Sequence, residues 1–202
     1  MKILIACEYS GIVRDAFIAR GHDVMSCDLL PTESPGPHYQ GDVLDILGDG
    51  WDMMIGHPPC TYISFAGTAH WNAPGRCKKR IEALEFFRKL WEAPIEKICL
   101  ENPKSCASPV IAKYTQEIQP YYFGEKHIKT TWLWLKNLQP LKYELEDNLL
   151  FDIKTGIDKP QPISIDNTER RKKRYYTDSI KNPHERARFW PKIAEAMADQ
   201  WG

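Results

Sequence analysis

Four short apolar runs, each closed by a polar or turn-forming residue, constrain this chain more than any other feature. They are Lys2 to Cys7, Asp23 to Asp28, Trp51 to Gly56 (WDMMIG) and Lys97 to Glu101. Each has the length of a strand, and each is apolar nearly throughout, the pattern of strands covered on both faces. Helical spacing fills the gaps. After Gly11, residues Ile12, Ala16, Phe17 and Ala19 share a face before Gly21; after Arg76, so do Ile81, Leu84, Phe87, Arg88 and Trp91, before Pro94. Strands alternating with helices predict an α/β fold built on a mostly parallel, Rossmann-like sheet with helices on both faces. Thr130 to Leu135 (TTWLWL) predicts a later strand. The spacing of Phe189, Ile193, Ala194, Met197 and Trp201 predicts a terminal helix within Ala187 to Trp201.

A length of 202 residues fits one domain, 1–202, and a composition of 43% hydrophobic and 27% charged residues excludes disordered and collagen-like classes. The stretch 136–185 loses periodicity and gathers Pro, Asp, Asn and Lys, including Glu169 to Arg174 (ERRKKR), so it reads as an irregular basic insertion, with room for a hairpin. Basic and acidic side chains both number 27, which hides an asymmetry. Residues 1–60 carry three basic against nine acidic side chains, and the remainder 24 against 18. The first part suits a neutral or cationic ligand and the second a polyanion. No apolar run approaches the roughly 18 residues of a membrane helix, and Ile3 to Cys7 is stopped by Glu8, too short for a signal peptide. A cytoplasmic location is expected. Six cysteines are too sparse for a secreted disulfide framework, so each is either a small buried hydrophobe or a reactive group.

In open parallel sheets ligands bind at the carboxyl ends of the strands. Four such ends collect unusual residues: Glu8 to Gly11, Asp28, His57 to Cys60 and Glu101 to Pro103. The first turn, Glu8-Tyr9-Ser10-Gly11, lacks both the G-x-G-x-x-G pattern and a phosphate-loop lysine, which argues against dinucleotide and triphosphate sites. Asp28 stands where an acid accepts hydrogen bonds from ribose hydroxyls, or simply ends a strand in a turn. Asp42 either holds an adenine amino group or caps a helix.

Gly56-His57-Pro58-Pro59-Cys60 is the most informative stretch. Two prolines after a buried strand freeze the backbone and hold the next thiol at the sheet edge, where it can serve as a nucleophile. Cys7, Cys27 and Cys99 lie inside apparent strands and read as structural. No C-x-x-C pair or zinc-type spacing joins His57 and Cys60 to Cys77, Cys99 or Cys106, so no metal is expected. Glu101 closes a buried strand, where desolvation should raise its pKa and let it hold a proton near neutral pH. A rigid thiol beside a protonatable carboxylate suits the addition of a nucleophile to an electron-poor ring.

The segment Asp52 to Gly67, with Pro59-Cys60 followed by Ser64 and Ala66-Gly67, resembles the catalytic segment of the cytosine-C5 DNA methyltransferases. Leu100-Glu101-Asn102-Pro103 resembles that family's Glu-Asn-Val segment. Ala6 to Gly11, Asp28 and Gly41-Asp42-Val43 occupy the places of its cofactor turn, ribose acid and adenine acid. These pieces follow the family's order across about residues 1 to 135. The resemblance implies S-adenosylmethionine as cofactor, held by Glu8, Ser10, Gly11, Asp28, Asp42 and Pro58. It implies catalysis by Cys60 and Glu101, with Lys129, in a faint echo of the family's Gln-x-Arg-x-Arg segment, facing the base carbonyl.

The departures are Thr61 for the usual Gln, His57 for a Gly and Pro103 for a Val. The large target-recognition region is absent, as in the short methyltransferase-like proteins of phages and prophages. DNA is the expected partner, with Lys78, Lys79, Arg170, Arg171 and Lys172 as phosphate contacts or, equally, as a solvated face. Alternatives are modification of a free cytosine nucleotide or of RNA, and a catalytically silent binding relative.

Overall fold

The computed structural model describes residues 1–143, 146–147, 154–155, 160–162, 164–165, 173–174 and 188–202. Seven strands form one sheet: β1 (Lys2–Ala6), β2 (Asp23–Asp28), β3 (His38–Gln40), β4 (Met53–Gly56), β5 (Lys97–Pro103), β6 (Gln116–Ile118) and β7 (Thr131–Lys136). Their order is β3-β2-β1-β4-β5-β7-β6. The first five run parallel, and β7 lies antiparallel to both of its neighbours. The α/β class expected from the sequence is the one observed. Two strands went unforeseen. β3 and β6 are three residues each, short edge strands with polar residues and no apolar run to announce them.

Successive side chains of a strand point to opposite faces, and both faces of this sheet are covered. Ile3, Ile5, Met53, Ile55, Cys99 and Leu133 face helices α1 (Ile12–Ile18) and α3 (Pro191–Trp201). Leu4, Ala6, Met54, Ile98, Leu100 and Trp134 face helix α2 (Arg76–Trp91). That double burial is why the strands read as unbroken apolar runs. Two details of the helix reading change. The core positions of α1 are Val13 and Phe17, whereas Ala19 is exposed; those of α2 are Phe87 and Leu90, whereas Ile81 is 56% exposed. α1 also starts with a sharp turn that Gly11 makes possible at φ 78°. The terminal helix begins at Pro191, a residue suited to a first helical position, later than its spacing suggested.

Within 136–185 the described parts include two short antiparallel pairs, β8 (Glu146–Asp147) with β9 (Lys154–Thr155) and β10 (Ser164–Ile165) with β11 (Lys173–Arg174). No helix among the described residues is long and apolar enough to cross a membrane.

The connection from β2 to β3 is organised by an arginine that sequence pattern hid inside α1. Arg14 is fully buried. Its guanidinium donates to Asp15 Oδ1 at 2.8 Å, Thr32 Oγ1 at 3.1 Å, Ser26 Oγ at 3.3 Å and the Ser34 carbonyl at 2.9 Å. One side chain thereby satisfies the loop that follows Asp28. Removing it leaves the buried Ser26 hydroxyl and the half-buried Thr32 and Ser34 acceptors without their donor, and an unpaired buried group costs about 1–3 kcal/mol. Arg14→Met should lower stability by about 2–4 kcal/mol, read from the urea midpoint at unchanged slope; a change below about 0.5 kcal/mol, the scale of neutral surface substitutions, would contradict this role.

Candidate functional site

The chain runs outward from β1 to β3 on one side of the sheet and from β4 onward on the other, so the strand order reverses between β1 and β4. At such a switch point the two following turns diverge and leave a crevice. A cavity of about 250 Å³ opens there. Its wall includes Asp28, Gly41, Asp42 and Val43 on one side and Pro59 with Phe86 on the other.

Both expected acids are in place, each oriented by a backbone amide. Asp28 Oδ1 accepts from the Leu30 amide at 2.9 Å, and Asp42 Oδ1 accepts from the Leu44 amide at 3.0 Å, capping a 3-10 turn. The capping and turn roles weighed for these acids are thus present, and they fix the carboxylates at the cavity wall. Glu8 and Ser10 are placed differently. Glu8 is buried, accepting from the Val13 amide at 2.7 Å, the Arg14 amide at 3.3 Å and the Ser10 hydroxyl at 3.1 Å. Ser10 Oγ in turn accepts from Ile12. Their polar atoms are engaged at the N-terminus of α1, where a carboxylate balances the helix dipole. At Gly11 a Cβ would come 2.5 Å from the Arg14 guanidinium.

The proline-stiffened turn is tied to the end of β5 twice. Asn102 Nδ2 donates to the Pro58 carbonyl at 2.8 Å, and His57 Nδ1 lies 3.3 Å from Glu101 Oε2. At Gly56, beneath this turn, a Cβ would come 2.8 Å from Leu100, so the β4–β5 pairing itself calls for glycine. Cys60 follows, half-buried, its carbonyl accepting from Ser64 at 2.9 Å and Ile63 at 3.2 Å. The other thiols differ. Burial and the neighbouring Asp28 push Cys7 up, the same two causes push Cys27 up to about 12, and burial with Glu101 raises Cys99. All three remain thiols; Cys27 and Cys99 lie in strands as expected, whereas Cys7 sits just past β1 at φ 59° and lines the cavity.

Glu101 departs from expectation. Burial does push its pKa up, but the His57 hydrogen bond and the positive charge of Lys129 outweigh it, and the pKa falls below the ordinary carboxylate value. A buried acid with a donor and a cation beside it is held ionised. His57, which the sequence gives no role beside Glu101, is therefore that carboxylate's partner. An ionised carboxylate accepts, so Nδ1 carries the proton; Nε2 is buried without a hydrogen-bond partner among the described residues. The His57 ring packs at 4.7 Å from Phe189, and Lys129 lies 5.9 Å from the centroid of Trp190. Phe189 and Trp190 thus close the site from the C-terminal segment. In the sequence Phe189 reads as a position on the terminal helix, whereas the helix starts only at Pro191 and leaves both aromatic residues ahead of it.

Among the expected cations, Lys78 is exposed with Glu82 Oε1 at 3.9 Å, whereas Lys79 lies over the Tyr62 ring at 5.3 Å. Arg170, Arg171 and Lys172 lie outside the described residues. Among the described residues no group of three His, Cys, Asp or Glu side chains could hold a metal ion.

No family model matches this chain, and no curated protein does. Among solved structures, one from E. coli named "putative DNA modification methyltransferase encoded within prophage" is similar, with TM-score 0.42 and 15% identity. The match covers 66% of this chain and 45% of that one, so the chain spans under half of that structure's length.

Because Glu101 is depressed, its ionisation contributes stability that is complete above the unfolded carboxylate pKa of about 4.3 and is lost as pH falls through the lower folded value. His57→Leu removes the strongest opposing influence and leaves burial dominant, so the Glu101 pKa should move upward. Carboxyl carbon NMR, with the signal assigned through Glu101→Gln, reads both values. An identical Glu101 titration in the two proteins would refute the pairing.

Proposed function

We propose that this chain is an S-adenosylmethionine-dependent cytosine-C5 methyltransferase acting on DNA, with residues 1–202 forming one methyltransferase-like domain and 136–185 standing in place of a target-recognition region. The observation that carries the reading is the convergence, at one switch point, of an acid-lined cavity and a proline-stiffened cysteine turn tied to Glu101. The resemblance of these same segments to the cytosine-C5 enzymes supplies the reaction.

The cavity suits the cofactor's chemistry. Asp28 would accept from the ribose hydroxyls and Asp42 from the adenine amino group, with Val43, Pro59 and Phe86 covering the apolar ring faces. Glu8, Ser10 and Gly11 serve mainly by building the first turn, and Pro58 by fixing Pro59. Three acids near the cavity, Asp28, Asp42 and Asp45, favour a cationic sulfonium over a phosphate-bearing ligand. When bound, S-adenosylmethionine supplies an electrophilic methyl group.

The chain's own residues do the rest. Cytosine C5 is a poor nucleophile, and addition of the Cys60 thiolate to C6 forms a C–S bond while moving the electron pair onto C5. Ionised Glu101 would accept from the exocyclic amino group, a donor that thymine and uracil lack. The proton released when the Cys60 thiol ionises, carried by solvent, would convert Glu101 to the acid, which would then donate to ring N3 and offset the charge that develops there. Lys129 would face the ring carbonyl. After methyl transfer to C5, loss of the C5 proton to a base re-forms the double bond and expels the thiolate.

Three measurements test this. Calorimetry should show S-adenosylmethionine or its demethylated product binding the wild type and Cys60→Ser alike. Asp28→Ala should weaken that binding by about 1.5–3 kcal/mol, the usual value of a hydrogen bond to a charged group. Cys60→Ser should lose turnover, and DNA carrying 5-fluorocytosine should trap an adduct on Cys60, because fluorine cannot leave as a proton. Full activity in Cys60→Ser, or an adduct on Cys77 or Cys106, would overturn the assignment.

A further inference from the structure

Beside the cysteine turn the surface carries a run of five aromatic rings, three of which, Tyr62, Trp71 and Trp132, have a cation close to the ring. The rings come from three places that the fold brings together. Tyr62, Phe65 and Trp71 follow Cys60, Trp132 lies on β7 opposite Asn102, and Tyr114 precedes β6. Four of them form a chain of contacts: Phe65 lies 5.8 Å from Trp71 and 6.5 Å from Trp132, and Trp132 stacks on Tyr114 at 4.1 Å with planes 9° apart. Phe65 is 41% exposed, and the other four are half-buried.

The cations come mainly from the first turns of α2. The Arg76 guanidinium lies 5.0 Å from the centroid of Tyr62, and that of Arg80 lies 4.1 Å from the centroid of Trp71. Lys79 also covers Tyr62, at 5.3 Å, and Lys104 lies 5.8 Å from Trp132. The carboxylates nearby are Glu82, beside Lys78, and Glu117, which accepts from Lys104 and from the Trp132 indole. The belt is held to the site. Arg76 donates to the Thr61 carbonyl at 2.9 Å, the Phe65 amide donates to the Lys104 carbonyl at 2.9 Å, and Ser64 bridges to Ser105.

We propose that this belt binds single-stranded DNA, with unpaired bases stacked on the rings and the phosphates held by the Arg76, Lys79, Arg80 and Lys104 side chains. The proposal deepens the methyltransferase reading by naming the strand state of the substrate, and it rests on that reading for the choice of DNA. A duplex hides its base faces, so exposed rings gain little from it; a single strand offers one face per base, and base–aromatic stacking tolerates any sequence. The belt's cations suit the phosphates of such a strand, and none of them lines the cavity that holds Asp28 and Asp42. A cytosine already unstacked would also need no extrusion from a duplex.

The test is fluorescence anisotropy of the full chain with a labelled single strand of about 12 nucleotides, within the usual site sizes, and with the same sequence as duplex DNA and as RNA. The DNA single strand should bind about tenfold or more tighter than either. Phe65→Ala and Trp71→Leu should each weaken it by about tenfold, the loss of one stacked base. Lys79→Gln with Lys104→Gln, on exposed side chains, should weaken binding and shallow its salt dependence. Circular dichroism and thermal midpoints confirm that each variant is folded. Equal or tighter binding of duplex or RNA, or wild-type binding in folded ring variants, would overturn the proposal. Methyl transfer assayed on the same strands separates the two readings: binding without transfer retains the surface and defeats the Cys60 chemistry, while transfer to duplex alone defeats the surface.

Discussion

The hydrogen bond from Asn102 to the Pro58 carbonyl, at 2.8 Å, fixes how everything else at the strand ends is arranged. Pro58 and Pro59 restrict their own backbone but cannot choose where the turn sits on the sheet. Asn102 supplies that choice by locking the turn to β5, and the adjacent His57–Glu101 contact repeats the tie one residue away on each chain segment. A rigid turn anchored at both ends has two consequences. Pro59 is placed to form one wall of the cavity at the β1–β4 switch point, and Cys60 is delivered beyond it. One loop thus serves as boundary between the two halves of the proposed reaction.

The electrostatics divide along the same boundary. On the β1–β3 side, Asp28 and Asp42 hold fixed carboxylates at the cavity wall. On the other side, Lys129 and His57 keep Glu101 ionised against the cost of burial. In the proposed mechanism this ionised state discriminates cytosine through its amino group before any proton moves, which a carboxylic acid would do less strongly. Protonation then belongs to the reacting complex, as the ring takes on charge.

Strands β1, β2, β4 and β5 were legible because double burial leaves continuous apolar runs, and the turn after β4 because prolines next to a thiol have few structural excuses. Three things were not legible. β3 and β6 are held by pairing with longer neighbours, a tertiary effect that a three-residue polar segment does not announce. Arg14 sits in a helical stretch as an unremarkable charge, and its burial depends on a loop some 20 residues away in sequence. Burial of Glu101 can be read from its strand, but His57 and Lys129, which reach it from other elements, cannot. The aromatic belt is likewise a product of the fold, gathered from the turn after β4, α2 and β7. Its rings are scattered in sequence across residues 62–132.

The proposed reaction puts a methyl group on C5 of cytosine in DNA. Nucleosides digested from the DNA of cells expressing the chain, grown with isotope-labelled methionine, would be separated and weighed. The account predicts labelled 5-methylcytosine, absent when Cys60→Ser is expressed instead. Unmodified DNA, or label found on the cytosine amino group or on adenine, would contradict it.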